Sequence, residues 1–207
     1  MNDLASTAVA ALAALTLLGY LLGSIPFGII LTRLAGAGDL RTIGSGNIGA
    51  TNVLRTGRKG LAAATLLCDL GKGAAAIAIA EAVAPGAGPF AGLGAFFGHL
   101  YPIWLRFNGG KGVATLLGIA IALYWPLGVV FALVWLAVAF ASRYSSLGGI
   151  MAAAAMPVAA LWFGQEQALW VFGVTLVFVV WKHRGNIERL LEGTEPKIGK
   201  SEGGIRA

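Results

Sequence analysis

Seven apolar runs, separated by short polar or Gly/Pro-rich stretches, leave this chain few ways to fold. They lie at about 7–31, 61–84, 90–105, 111–123, 127–141, 147–163 and 168–181. A helix needs about 20 apolar residues to cross a hydrocarbon core about 30 Å thick. Most of the runs approach that length, and none alternates with the period of two expected of a barrel strand. With 57% hydrophobic and only 12% charged residues, and a mean hydropathy of +0.80, an ordinary soluble domain is excluded. The expected fold is an all-α integral membrane protein with seven transmembrane helices, forming one domain over 1–207.

The charges give that bundle a direction. Every Lys and Arg except Lys72 falls in 33–59, 106–112, 142–146 or 182–207, and the opposite ends hold none. Positive residues collect on the cytoplasmic side, so the N-terminus is expected outside and the C-terminus in the cytoplasm. The net charge of +6 is then topological and does not call for nucleic acid. Residues 1–6 lack the basic start of a secretory signal. The single cysteine, Cys68, excludes an internal disulfide and a cysteine metal cluster.

All the chemistry-bearing polar stretches fall on the same, cytoplasmic face. Gly44-Ser45-Gly46-Asn47-Ile48-Gly49-Ala50-Thr51-Asn52-Val53-Leu54-Arg55 comes first. Its glycines permit positive φ and close approach of a ligand, and successive N–H groups in such a loop can cradle an anion. Ser45, Asn47 and Asn52 add short hydrogen-bonding arms, and Arg55 a planar fork suited to phosphate. Asn108-Gly109-Gly110-Lys111-Gly112 follows, opening a short helix that ends near Leu123. Free N–H groups, a helix N-terminus and an ammonium converge there on an anion. The Walker A spacing is absent, which points to a small phosphorylated metabolite and not ATP. His183 and Asn186 follow the last run directly and share one face of a short helix.

Several residues lie within the apolar runs. Pro26 should kink the first run and Pro157 the sixth; Ser24 either satisfies the backbone freed by Pro26 or serves the site. Asp69 and Lys72, three apart, can pair on one helix face, for structure or in support of the site. Glu81 is expected to reach the far interface, and His99 either bonds a neighbouring helix or joins the site.

Gly44 to Arg55, Gly98-His99 through Gly112, and His183-Arg184-Gly185-Asn186-Ile187 together resemble the three motifs of the bacterial acyl-phosphate:glycerol-3-phosphate acyltransferases. The likeness runs in order along nearly the whole chain and continues into Gly193-Thr194-Glu195-Pro196. It implies transfer of a fatty acyl group from acyl phosphate to the sn-1 hydroxyl of glycerol 3-phosphate, giving lysophosphatidic acid and inorganic phosphate in phospholipid biosynthesis. It further implies a multi-pass protein of the bacterial inner membrane that uses no metal or other cofactor. A soluble phosphate acyltransferase is the implied source of acyl phosphate. Substrate binding is expected from Gly44, Gly46, Asn47 and Asn52 and from Gly109, Gly110, Lys111 and Gly112, the second group holding glycerol 3-phosphate. Ser45, Arg55, His183 and Asn186 are the expected catalytic groups. The hydroxyl proton goes either to His183 or to the substrate's own phosphate. A small transporter of phosphorylated metabolites is the alternative reading, but its site would lie near the membrane midplane.

Overall fold

The computed structural model describes residues 2–199; Lys200 and Arg206, which entered the charge pattern, lie outside the described residues. The described residues are helical and loop, with no strand among them. Ten helices follow in order: α1 (Asn2–Gly23), α2 (Phe27–Leu34), α3 (Ala50–Leu54), α4 (Lys59–Val83) and α5 (Gly88–Leu100). Then come α6 (Val113–Leu123), α7 (Trp125–Ser142), α8 (Ser145–Trp162), α9 (Leu169–Lys182) and α10 (Arg184–Leu191).

Among the described residues, four stretches are long and apolar enough to cross a membrane: Ala5–Leu34, Lys59–Val83, Trp125–Ser142 and Ser145–Trp162. The other three runs are shorter helices. α5 has 13 residues, α6 has 11 and α9 has 14. At 1.5 Å per residue they rise about 17–21 Å, well short of the bilayer core. The third run, expected to be helical to Leu105, stops at Leu100, and Arg106 and Phe107 both adopt left-handed backbone.

Pro26 does more than kink the first run. It separates α1 from α2, because it lacks an N–H and biases Ile25 away from helical geometry. The exposed polar groups find side-chain partners. Ser24 Oγ donates to the Leu21 carbonyl at 2.7 Å and accepts from Trp104 Nε1 at 2.9 Å. Lys72 Nζ donates to the Ile25 carbonyl at 3.2 Å. Pro157, by contrast, lies inside one continuous α8. Glu81 sits at the exposed far end of α4, where its carboxylate accepts from the Gly86 and Gly88 amides and closes the turn into α5.

Helix packing uses small residues, as expected where lipid removes the hydrophobic drive between helices. α1 and α5 meet almost backbone to backbone. A Cβ at Gly23 would lie 2.0 Å from the Ala95 carbonyl oxygen, and one at Gly98 2.1 Å from that of Tyr20. α4 and α6 meet the same way, with Gly118 against the Leu70 carbonyl. The larger apolar core, built on Phe96, Leu116, Phe131, Met156 and Phe172, joins α5 through α9. The loop between α5 and α6 shares a cleft with the first polar loop, Gly109 and Lys111 lining it with Ser45, Gly46 and Asn47.

Candidate active site

The first polar loop is shaped from within by Asn52, on α3. Its Nδ2 donates to the Leu40 and Ile43 carbonyls, both at 2.9 Å, and its Oδ1 accepts from the Ser45 amide at 3.2 Å. Asn52 thus lines the cavity described below, yet its hydrogen-bonding groups are taken up by the loop's own backbone. The Gly46 amide is also engaged, on the Ile43 carbonyl. Gly44 has positive φ, and a Cβ there would sit 2.7 Å from Asn52 Oδ1 and 2.8 Å from Arg55 Cδ. Arg55 closes α3 with Nη1 buried and without a hydrogen-bond partner. A buried cationic donor left open in this way is suited to an anionic ligand. Thr51 Oγ1 meets Ser145 Oγ at 2.9 Å and ties the loop to the start of α8.

The second loop folds back on the end of α5. Gly109 N donates to the Leu100 carbonyl and Gly110 N to the His99 carbonyl. The expectation that Gly109 and Gly110 offer free amides to an anion is therefore corrected, as is the same expectation for the Ser45 and Gly46 amides. These glycines allow close packing instead. At Gly110 a Cβ would lie 2.1 Å from His99 Nε2, and at Gly112, where φ is positive, 2.3 Å from Phe96 Cε2. What the loop presents is Lys111, whose Nζ donates to Asn186 Oδ1. Burial, and more weakly the cations Arg189 and Arg55, pull the Lys111 ammonium down to about 8, although Glu195 opposes them.

The third group begins where α9 ends. His183 is almost fully buried, and its Nδ1 lies 2.7 Å from the Val179 carbonyl. A carbonyl only accepts, so the ring proton sits on Nδ1 and Nε2 carries the lone pair. Burial and the neighbouring Lys111 charge depress His183 to about 4, which leaves it neutral at physiological pH. One turn on, Asn186 Nδ2 donates to Glu195 Oε1 at 2.7 Å. Glu195 also accepts from Ser146 Oγ at 2.6 Å and from Arg189 Nε at 2.8 Å. Burial alone would raise its carboxyl, yet these three donors hold it below the usual range. Glu195 was not among the expected site residues. The one signal for it was the continuation of the third motif into Gly193-Thr194-Glu195-Pro196.

The three groups enclose two joined spaces. One is a polar cleft of about 350 Å³, rimmed by Lys111, Lys182, Arg184 and Arg189. The other is a cavity of about 510 Å³, with Arg55 and His183 among its polar groups. Its walls are largely apolar, from Leu66 on α4, Leu117 on α6, and Phe131, Trp135 and Leu136 on α7. Ser45, Asn47, Lys111 and Asn186 line both spaces. Leu66 and Leu136, both exposed, belong to this apolar end. Of the expected residues, Gly46 and Gly109 line only the cleft, Asn52, Arg55, Gly112 and His183 only the cavity, and Gly44 and Gly110 line neither. Among the described residues, no three His, Cys, Asp or Glu side chains converge as metal ligands.

Residues 13–193 match the family described as glycerol-3-phosphate acyltransferase. The chain is 61% identical over 181 residues to a glycerol-3-phosphate acyltransferase of Mesorhizobium japonicum, covering 87% of this chain and 93% of that one. It is 58% identical over 190 residues to one from Rhodopseudomonas palustris, covering 91% and 96%. Its fold is similar to the crystal structure of PlsY (YgiH), an integral membrane glycerol 3-phosphate acyltransferase. Against the glycerol 3-phosphate form the TM-score is 0.86 at 37% identity, covering 91% of this chain and 96% of that one. Against the lysophosphatidic acid form the values are 0.84, 36%, 91% and 95%.

Proposed function

The chain belongs to the glycerol-3-phosphate acyltransferase family, and from that premise we propose how its three polar loops divide the work of acyl transfer. The protein is a membrane acyltransferase that esterifies glycerol 3-phosphate with a fatty acyl group taken from acyl phosphate. Lysophosphatidic acid and inorganic phosphate are the products. The observation that carries the division of roles is that Ser45, Asn47, Lys111 and Asn186 line both the polar cleft and the apolar cavity. A water-soluble phosphoester and a lipid-borne acyl phosphate can meet only where such spaces join.

Glycerol 3-phosphate enters by the cleft, and Lys111 holds its phosphate. The acyl tail lies in the cavity between α4 and α7, reached sideways from the bilayer. Arg55, with its unpartnered Nη1, holds the acyl phosphate group. Ser45 donates a hydrogen bond to that phosphate or to the carbonyl, where negative charge develops as the hydroxyl attacks. Asn47, Gly46, Gly109 and Gly112 shape the contact surface, Gly44 and Gly110 allow the close packing behind it, and Asn186 fixes Lys111. His183 accepts from the attacking hydroxyl through Nε2 and orients it. A ring depressed to about 4 is a weak base. The proton therefore ends on the phosphate that leaves: the new ester C–O bond forms, the carbonyl–phosphate bond breaks, and hydrogen phosphate departs.

The same reading makes the chain one domain with seven crossings, N-terminus outside and C-terminus cytoplasmic, in the bacterial inner membrane. The basic loops support it, and the short α5, α6 and α9 fit crossings whose ends lie near the site. Acyl phosphate is supplied by a soluble phosphate acyltransferase. The test is direct: purified protein, radiolabelled glycerol 3-phosphate and palmitoyl phosphate, followed by lipid extraction. Label in lysophosphatidic acid that depends on palmitoyl phosphate supports the reading, and no transfer from acyl phosphate would overturn it.

A further inference from the structure

Three ionisable side chains lie buried between α4, α5 and the break after α1, and acyl transfer as read above uses none of them. Asp69, Lys72 and His99 are each less than a tenth exposed. Asp69 Oδ1 stands 2.8 Å from Lys72 Nζ and 3.6 Å from His99 Nδ1. Lys72 reaches on to the Ile25 carbonyl, so its place is explained by the broken helix. Asp69 is the counter-ion of that buried ammonium, but its contact with His99 and the place of His99 itself are not explained by the broken helix. Asp69 and His99 both line the wall of the cavity, and His99 Nδ1 makes no hydrogen bond.

The other edge of the imidazole supports the second polar loop. Nε2 occupies the space beneath Gly110, where a Cβ would come within 2.1 Å. The His99 carbonyl accepts the Gly110 amide, and the next residue is Lys111. Ring and backbone of His99 therefore both bear on the residue before the cation. Burying a carboxylate is costly even when paired, and ionisable groups inside a membrane protein usually serve its function. A charge 3.6 Å from Nδ1 favours the ring orientation that puts the Nδ1 edge toward Asp69 and the Nε2 edge toward Gly110.

We propose that Asp69 is a positioning residue for glycerol 3-phosphate binding: it holds His99 against Gly110, and His99 holds the loop that aims Lys111. The inference rests on the reading of Lys111 as the cation for glycerol 3-phosphate. Asp69 touches no reacting atom and acts only through His99.

The experiment uses the full-length protein in detergent micelles, with KM measured for each substrate alongside kcat and the melting temperature. Asp69→Asn combined with Lys72→Met removes both buried charges at similar volume, so no ion is left unpaired. The expected result is a KM for glycerol 3-phosphate raised about tenfold, with kcat and the KM for acyl phosphate within about twofold. His99→Asn should give the same split. Adding it to the double variant should raise KM no further, because residues acting in series are not additive. A KM for glycerol 3-phosphate unchanged in either variant overturns the proposal. So does a uniform loss that tracks melting temperature, which marks a merely structural ion pair. Lys111→Ala is the reference. If it raises this KM while the double variant does not, only the present proposal falls. If it leaves this KM unchanged, the assignment of Lys111 falls and the proposal with it.

Discussion

Lys111 Nζ donates to the side-chain oxygen of Asn186, joining two loops that stand 75 residues apart in the chain. The bond fixes the cation at the junction of the polar cleft and the apolar cavity. Lys111→Ala removes a charge that meets phosphate in ground and transition states alike. It should raise the KM for glycerol 3-phosphate by about tenfold or more with a smaller fall in kcat. Arg55→Ala should show the opposite pattern, because its open Nη1 serves the group where charge develops. Steady-state kinetics with each substrate varied in turn separates the two.

The pH dependence should follow Lys111. Its ammonium titrates near 8 and is charged below that value. An anionic substrate binds the charged form, so kcat/KM for glycerol 3-phosphate should hold up to about pH 7.5 and fall above pH 8. His183, depressed to about 4, stays neutral across pH 6–9 and should contribute no acidic limb there. An activity limb with a midpoint near 6.5 that vanishes in His183→Asn, and so is not the second ionisation of the substrate phosphate at about 6, would restore His183 as a candidate base.

Glu195 should matter for both stability and substrate binding. It accepts from Ser146, Asn186 and Arg189, and so holds the residue that holds Lys111. Glu195→Ala leaves three donors without their acceptor. Loss of hydrogen bonds to a buried charged group costs about 1.5–3 kcal/mol. We expect a lower melting temperature in detergent and a raised KM for glycerol 3-phosphate. An unchanged melting temperature would mean that the 193–199 segment does not brace the site.

No acyl-enzyme should form. Acyl phosphate is already activated, so splitting the reaction into two covalent steps gains little. Cys68→Ala should stay active. Enzyme mixed with acyl phosphate alone and quenched in acid should keep its unmodified mass. A stoichiometric acyl adduct on Ser45 that passes to glycerol 3-phosphate would sink the direct-transfer mechanism.

Sidedness is open to a fusion test. A reporter active only outside the cytoplasm, attached after Ala207, should stay silent, and the same reporter ahead of Asn2 should be active. The reverse pattern would invert the topology.

Much of this protein could be read before any coordinates. Apolar runs and basic loops are local properties of the chain, and the bilayer turns them into helices whatever their neighbours are. Ser45, Arg55, Lys111, His183 and Asn186 were also visible, because polar residues clustered between such runs have little other reason to be there. They do line the two joined spaces.

The tertiary structure decided which of their atoms remain available. The amides of Gly109 and Gly110 looked free in sequence, but they are donated to carbonyls at the end of α5. Asn52 looked like a ligand arm, but both ends of its amide are spent on the loop around it. Glu195 looked like tail, yet it receives Ser146 from α8 and Asn186 from α10. Asp69 and His99 could be structural or part of the site by sequence; the fold puts both on the cavity wall, with Gly110 against the imidazole. The reason is the same in each case. Hydropathy and charge are additive along a chain and survive without tertiary context. A hydrogen-bond donor has one proton to give, and only the packing of distant segments settles which acceptor receives it.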